Sequence, residues 1–356
     1  MKFLHTSDLH IGSALTSRLP QDKIRERKSE LMGTFERMIE EAVYERAVAF
    51  IIAGDMFDTQ KITRTTVDRV LRAIEKYPTL DFLYLTGNHE KSALIEYGVT
   101  LPKNLKIFGD GWTYFDYGAV CVAGRSEISE DMFHTLDLER GKTNIVVLHG
   151  ALADGKSGGE IIGRRELDGK NVTYLALGHY HSYSEQKIGE AGIAVYSGTP
   201  EGRGFDEIGT KGFVMIDTDG RSTRHSFVPF AKRTLHEINV DLGGAKQRRD
   251  VDEIVDAALT GIKRGDLVRA RLTGKRSPEL FIDEEAIKSR WQNAFYHFDL
   301  KDETGIRIDP DEYKYDRSLK GEFIRLVSAD TDLSDEEKGK IIKTGLAALM
   351  GEKDEI

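Results

Sequence analysis

A single cysteine in 356 residues excludes an internal disulfide. Cys121 lies in the apolar run Ala119-Val120-Cys121-Val122-Ala123 and reads as a buried strand residue. No apolar run approaches the roughly 20 residues that a membrane span needs, and no positively charged, apolar segment of the signal-peptide kind opens the sequence. A cytoplasmic protein with no membrane partner is expected. An excess of basic charge is also missing: 51 Lys and Arg stand against 60 Asp and Glu, a net charge of −9. Part of the acidity gathers near the C-terminal end, at Asp330, Asp332, Asp335, Glu336, Glu337, Glu352, Asp354 and Glu355. Attraction to a polyanion would therefore have to come from local basic stretches, such as residues 25–28, Arg164-Arg165, 246–249 and Lys263-Arg264 through Lys275-Arg276. Each of these reads first as a solvated face, and only their convergence on one rim would make a phosphate track. The length suffices for two domains and a sizeable core.

What the chain does have is five short runs rich in metal-binding side chains: Ser7-Asp8-Leu9-His10, Gly54-Asp55-Met56-Phe57-Asp58, Gly87-Asn88-His89-Glu90, His149-Gly150 and Gly178-His179-Tyr180-His181. Each follows an apolar, β-branched stretch directly, which puts it on the loop at a strand end. Asp and Asn oxygens with neutral imidazole nitrogens form a mixed donor set that suits manganese, iron or zinc more than calcium or magnesium. Two such metals, about 3.5 to 4 Å apart, can clamp a phosphate and turn a shared water into a hydroxide near neutral pH. Asp55 is the natural bridging carboxylate. Asp8, His10 and His181 would complete one metal, and Asn88, His149 and His179 the other. His89 is left over beside the ligands, suited to protonate a leaving oxygen or stabilise the transition state. Any one Asp-x-His or Gly-His pair is commonly a turn carboxylate or a satisfied core histidine. Five together, each after a strand-like run, are hard to obtain by chance.

The order and spacing of these motifs resemble the calcineurin-like metallophosphoesterase superfamily. Within it they are similar to the SbcD-type DNA repair nucleases, bacterial relatives of the double-strand-break repair nuclease, and especially to the compact YhaO-like members. The resemblance extends to Tyr196-Ser197-Gly198-Thr199-Pro200-Glu201, Phe205-Asp206-Glu207 and Lys211-Gly212-Phe213-Val214, a segment that closes the nuclease domain in that family. It implies a manganese-dependent DNA nuclease in double-strand-break repair, an exonuclease first, with endonuclease work an activity that members of the family often add. Two Mn2+, with Mg2+, Fe or Zn as substitutes, would sit on Asp8, His10, Asp55, Asn88, His149, His179 and His181, while His89 assists departure of the 3′ oxygen. By the same resemblance Asp58 orients His89 and raises its pKa; the plain alternative is an Asp that caps the following turn. Two positions depart from the pattern. Glu90 stands where the family usually has Asp and matches protein serine/threonine phosphatases, yet Thr59 stands where those phosphatases carry a phosphate-binding arginine. The competing readings are a small-molecule phosphodiesterase or phosphatase of the same superfamily, and a non-catalytic subunit that positions DNA for an ATPase. A scaffold would need no free histidine.

For the fold, apolar periodicity gives alternating α/β structure up to about residue 228, with strands at 48–53 and 82–85 and then a shift towards β from residue 106. The resemblance, rather than periodicity, implies a four-layer αββα sandwich over 1–228. A small α+β unit over 229–305, in β-α-β-α-β order, is similar to the family's DNA-capping domain. In it Arg269 and Arg271 share one strand face, followed by Lys275 and Arg276 in the next turn; these are either DNA contacts or ordinary exposed strand residues.

The remaining 306–356 read as a helical tail. Leu319, Phe323, Leu326 and Val327 follow helical spacing, as do Ile342, Leu346, Leu349 and Met350, and Ser334-Asp335-Glu336-Glu337 is a capping-box signature. Such helices commonly fold back on the body, but the family places there an element that grips an SbcC-type coiled-coil ATPase, so residues 317–356 are expected to dock one. Homodimerisation is a further implication of the resemblance. It would use helices near the front of the catalytic domain, including residues 62–71, unless that face belongs to the monomer's own core.

Overall fold

The computed structural model of the chain describes residues 1–15, 19–58, 62–86, 98, 100–277, 279–307 and 313–349. It divides into two compact units, Met1–Thr234 and Leu235–Ile356.

The first unit begins β1 (Lys2–Thr6), α1 (Gln21–Tyr44), β2 (Ala47–Ile52), α2 (Arg64–Glu75), β3 (Asp81–Tyr84), β4 (Leu105–Ile107), β5 (Thr113–Asp116), β6 (Val120–Gly124) and β7 (Thr143–His149). It continues through β8 (Ala151–Ala153), β9 (Ile161–Gly163), β10 (Tyr174–Gly178), β11 (Ser184–Ile188), β12 (Gly192–Tyr196), β13 (Gly212–Thr218) and β14 (Thr223–Pro229). Two six-stranded sheets result, in the orders β14-β13-β1-β2-β3-β4 and β11-β12-β10-β7-β6-β5. Each has a parallel centre: β1 to β4 in one, and β12, β10, β7 and β6 in the other.

Strand alternation explains the layering, because successive side chains point to opposite faces. Phe3, Ile51 and Leu83 meet Val122, Val147 and Ala176 in one core between the sheets. Their neighbours Leu4, Phe50, Ile52 and Phe82 face the other way, onto Phe35, Met38, Val70 and Ile74 of α1 and α2. On the outer face of the second sheet, Val146, Leu148, Leu175 and Leu177 are covered by Met132, Phe133 and Leu167, which belong to single 3-10 turns over Met132–Thr135 and Arg164–Leu167. The fold is therefore the expected α/β sandwich, with full helices over the first sheet and short turns over the second. The apolar face of residues 62–71 is spent inside this unit: Val67, Val70 and Leu71 are buried and Ile62 packs against the same core.

The second unit holds β15 (Leu235–Asp241), α3 (Arg248–Leu259), β16 (Leu267–Thr273), β17 (Lys275–Arg276), α4 (Glu284–Trp291), β18 (His297–Asp302), β19 (Gly305–Ile306), α5 (Leu319–Ala329) and α6 (Asp335–Leu349). Strands β15, β16 and β18 form a parallel sheet, packed on the Val251–Val255–Leu259 face of α3 and on Ile287 of α4. The two last helices share a small core of Ile306, Tyr313, Ile324, Ile342 and Leu346, with Phe323 and Val327 beside it. Of the expected stripe on α5, Phe323 and Val327 pack against this core, while Leu319 and Leu326 are 71% and 65% exposed and Ile324, outside the stripe, is fully buried. Five apolar residues wrap more than one side of the helix, and the side that finds a partner is centred on Ile324. No described helix is long and apolar enough to cross a membrane.

Candidate metal centre

Parallel strands all end at the same edge of a sheet, so the loops after β1 and β2 leave the first sheet side by side, and those after β7 and β10 do the same in the second. Ligands in open α/β sheets bind at such carboxyl ends. The loops after β1 and β2 are zipped together by backbone bonds: Asp8 N–H to the Gly54 carbonyl at 3.1 Å, His10 to Asp55 at 3.0 Å and Ile11 to Met56 at 2.9 Å. Across the other sheet, Gly178 pairs with His149. Between the two, the backbone N–H of His179 donates to both oxygens of Asp8, at 3.2 and 3.1 Å.

The conformations required are uncommon ones. Asp8, His10, Asp55 and His179 all have positive φ, at 51°, 44°, 49° and 106°. Non-glycine residues adopt such angles uncommonly, Asp and His more readily than most, and such strain tends to gather at functional sites. Gly178 has no room for a side chain, because a Cβ there would lie 2.0 Å from the Ala53 carbonyl oxygen.

The side chains then converge. His10 Nε2 lies 3.4 Å from His181 Nε2 and 3.6 Å from Asp55 Oδ2. His181 Nε2 is 3.8 Å from Asp8 Oδ1, and His149 Nε2 is 3.6 Å from the same Asp55 oxygen. Among the described residues two donor groups emerge, Asp8–His10–His181 and Asp8–Asp55–His149. The ring of His179 stands edge-on to that of His149, with centroids 5.7 Å apart. Asp8 is fully buried and also accepts from Ser7 Oγ at 2.5 Å.

Which nitrogens carry protons follows from the partners on the far side of each ring. His149 Nδ1 faces the Ala53 carbonyl at 2.9 Å, and a carbonyl only accepts, so Nδ1 holds the proton and Nε2 offers its lone pair towards Asp55. His181 Nδ1 lies 2.7 Å from Glu207 Oε1, which fixes the same tautomer. The pKa of His10 is pushed down to about 4, first by burial and then by the charge of Arg203, so its imidazole is neutral. Hydrogen bonding to Glu207 raises that of His181, against the effect of burial. With Nδ1 engaged behind each ring, the Nε2 atoms of His149 and His181 face Asp55 on one side and His10 and Asp8 on the other, a gathering of donor atoms that a cation between them would stabilise. The donor set fits a divalent transition metal.

The other sequence candidates fall as follows. Asn88 and His89, with Glu90 and Thr59, lie outside the described residues, and so does the partner invoked for Asp58. Asp58 itself is half-buried, and its N–H donates to the Ile11 carbonyl at 3.1 Å. In the second unit, Arg269 bonds Asp299 at 2.7 Å and approaches Glu237. Arg271 bonds Glu237 at 3.2 Å and Glu303 at 3.0 Å. Arg276 is 9% exposed, donating to Thr304 Oγ1 at 3.1 Å and to the Leu280 carbonyl, whereas Lys275 is exposed. Sequence reasoning gave no individual role to Glu207 or Arg203, although Glu207 stands in the Phe205-Asp206-Glu207 run. Nothing local marks a glutamate as the partner of a distant imidazole.

A two-sheet sandwich carrying carboxylates and imidazoles on the carboxyl ends of its parallel strands defines a metal-dependent phosphoesterase. Residues 1–183, just over half of the chain, match the calcineurin-like phosphoesterase family, and the chain belongs to it. It is 22% identical over 291 residues to the uncharacterized metallophosphoesterase YhaO of Bacillus subtilis, covering 76% of this chain and 71% of that protein. To the DNA double-strand break repair protein Mre11 of Sulfurisphaera tokodaii it is 22% identical over 345 residues, 86% of this chain and 84% of the other. To the protein of that name from Methanopyrus kandleri it is 25% identical over 272 residues, 64% and 56% of the two chains.

Proposed function

We propose that the chain is a manganese-dependent DNA nuclease acting in double-strand-break repair. The carrying observation is the convergence of Asp8, His10, Asp55, His149 and His181 donor atoms at the strand ends. Similarity to a double-strand break repair protein over 86% of the chain, well beyond the phosphoesterase match, favours DNA over a small-molecule ester. Asp8, His10, Asp55, His149, His179 and His181, with Asn88, would hold two metal ions. Such ions, when bound, clamp a phosphate and make water nucleophilic near neutral pH. The protein's part is to present His149 and His181 in a fixed tautomer, to keep Asp8 buried and hydrogen-bonded, and to supply a proton from His89 to the departing 3′ oxygen, with Asp58 orienting that histidine.

Further assignments belong to the same proposal. The unit after residue 234 would help select DNA structures. There the exposed Lys275 is better placed for a phosphate than Arg269 and Arg271, whose charges are matched by Asp299, Glu237 and Glu303. Residues 317–356 would dock a coiled-coil ATPase of the SbcC type, for which the exposed Leu319 and Leu326 supply an apolar face. A homodimer would use the polar side of α2, because its apolar side is buried.

Digestion of end-labelled duplex and single-stranded DNA with manganese, beside His89→Ala and a chelated control, tests the reading. Degradation requiring both manganese and His89 is expected. Intact DNA together with rapid turnover of a cyclic nucleotide or a phosphomonoester would replace the nuclease with a small-molecule phosphoesterase.

A further inference from the structure

His181 is held from behind by one loop, residues 197–211. Glu207 Oε1 sits 2.7 Å from its Nδ1. Lys211 Nζ donates to its carbonyl at 2.8 Å, and the Thr199 N–H reaches the same oxygen at 3.3 Å. Gly198, at φ 70°, runs so close that a Cβ would lie 2.8 Å from the Tyr183 nitrogen. Glu207 is itself locked: the Arg203 backbone N–H donates to Oε2 at 2.8 Å, and the Arg203 guanidinium donates to both oxygens, at 3.0 and 3.2 Å from Nε. Its side chain is only 3% exposed. A buried carboxylate is tolerated only with such partners, so its location opposite a candidate ligand asks for a reason beyond stability.

Arg203 also lies 3.2 Å from His181 Nδ1. Both contacts cannot be hydrogen bonds, since an Nδ1 that accepts from Arg203 has no proton for Glu207. A carboxylate oxygen at the shorter 2.7 Å needs a proton between, so the ring donates to Glu207 and the guanidinium serves the carboxylate.

We propose that Glu207 is a positioning residue for the metal centre: it sets the ring orientation and tautomer of His181, and so aims the Nε2 lone pair at the space shared with Asp8 and His10. Arg203 holds Glu207 in place, and Lys211 fixes the backbone from which the ring hangs. The role rests on the metal-centre reading above. Carboxylate partners of ligating histidines orient the ring, and their loss typically lowers metal affinity about 10- to 100-fold.

Titration of Co2+ into the full chain, read by visible absorption, tests this without recourse to catalysis, because the cobalt spectrum reports ligand geometry. Glu207→Ala is expected to weaken cobalt binding towards the upper end of about 10- to 100-fold and to alter the spectrum. Glu207→Gln keeps an acceptor for Nδ1–H but loses the charge, and falls between, near the lower end. Glu139→Gln, an exposed carboxylate paired with Lys142, is expected to bind as the wild type does. Thermal melts of the metal-free chains identify any variant that fails to fold; if Glu207→Ala does, Glu207→Gln carries the test alone. Wild-type affinity and spectrum in a folded Glu207 variant overturn the positioning role. A wild-type chain that takes up no cobalt overturns the metal centre itself, and the role with it.

Discussion

His149, at the end of β7 in one sheet, donates from Nδ1 to the carbonyl of Ala53, which follows β2 in the other, at 2.9 Å. This contact joins the sheets at their functional edge and turns the free Nε2 of the ring towards Asp55, the next residue but one after its acceptor. One bond therefore both crosses between the sheets at this edge and aims the His149 ring.

Gly54, between Ala53 and Asp55, makes that contact possible. Its φ is 91°, and a Cβ would fall 2.2 Å from His149 Nδ1. Gly54→Ala is therefore expected to destabilise the unit by about 1–3 kcal/mol through backbone strain, and to weaken metal binding by about tenfold or more through the displaced imidazole. Denaturant melts and cobalt titration of the same samples check both. A variant with native affinity would show that His149 does not depend on this packing.

The loops of the candidate site were legible because each follows a β-branched strand and holds carboxylates and imidazoles at short spacing, and the donor atoms of Asp8, His10, Asp55, His149 and His181 lie together at the strand ends. The β-α-β-α-β order read over 229–305 was legible for a related reason, apolar periodicity, and it recurs as β15, α3, β16, α4 and β18. Even the Ser334–Glu337 capping box forms, with Glu337 N–H on Ser334 Oγ at 3.3 Å and Ser334 N–H on the Glu337 carboxylate at 2.8 Å. Glu207 escaped because its partner is distant in sequence and a lone glutamate carries no period. On α5 the spacing identifies a helix but not which part of its apolar surface neighbours will cover: Phe323 and Val327 are packed, Leu319 and Leu326 are not.

A buried ionic cluster provides a pH test. Glu30 accepts from Arg27 at 2.6 Å and from Arg233 at 2.7 Å, and pairs with Lys232 at 2.8 Å. Burial raises its pKa, but the hydrogen bonds from Arg233, Lys232 and Arg27 outweigh it and bring it down to about 2, against 4.5 ordinarily. A carboxylate depressed in the folded state contributes stability that is whole above its unfolded pKa and is lost as pH falls from there through the folded value. Wild type is expected to be more stable than Glu30→Gln at pH 6 and to lose that advantage between about pH 4.5 and pH 2. Paired urea titrations down that range measure it; a constant gap would mean that Glu30 titrates normally.

The basic residues of the second unit separate by substitution. Arg276→Met leaves the Leu280 carbonyl and Thr304 Oγ1 without the guanidinium, and the expected loss is about 1–3 kcal/mol of stability. Lys275→Ala, at an exposed position, is expected to stay within about 0.5 kcal/mol while weakening DNA binding. Melts and DNA-affinity measurements on both chains decide, and loss of DNA affinity by Arg276→Met without loss of stability would return Arg276 to the DNA-contacting role.

The tail makes the sharpest contrast between packing and docking. Ile324 is fully buried against Ile342 and Leu346, whereas Leu319 and Leu326 on the same helix are largely exposed. Ile324→Ala removes core contacts and is expected to cost about 2–5 kcal/mol locally, read as faster hydrogen exchange across α5 and α6. Leu319→Ala and Leu326→Ala touch little, so their cost is within about 0.5 kcal/mol. If residues 317–356 dock a coiled-coil ATPase, the order reverses in a pull-down with that partner: the double leucine variant loses the complex while its tail remains folded. Retention of the complex by the leucine variant would place the docking surface elsewhere. An apolar pair this exposed would then be a feature of the free tail alone, with no partner to account for it.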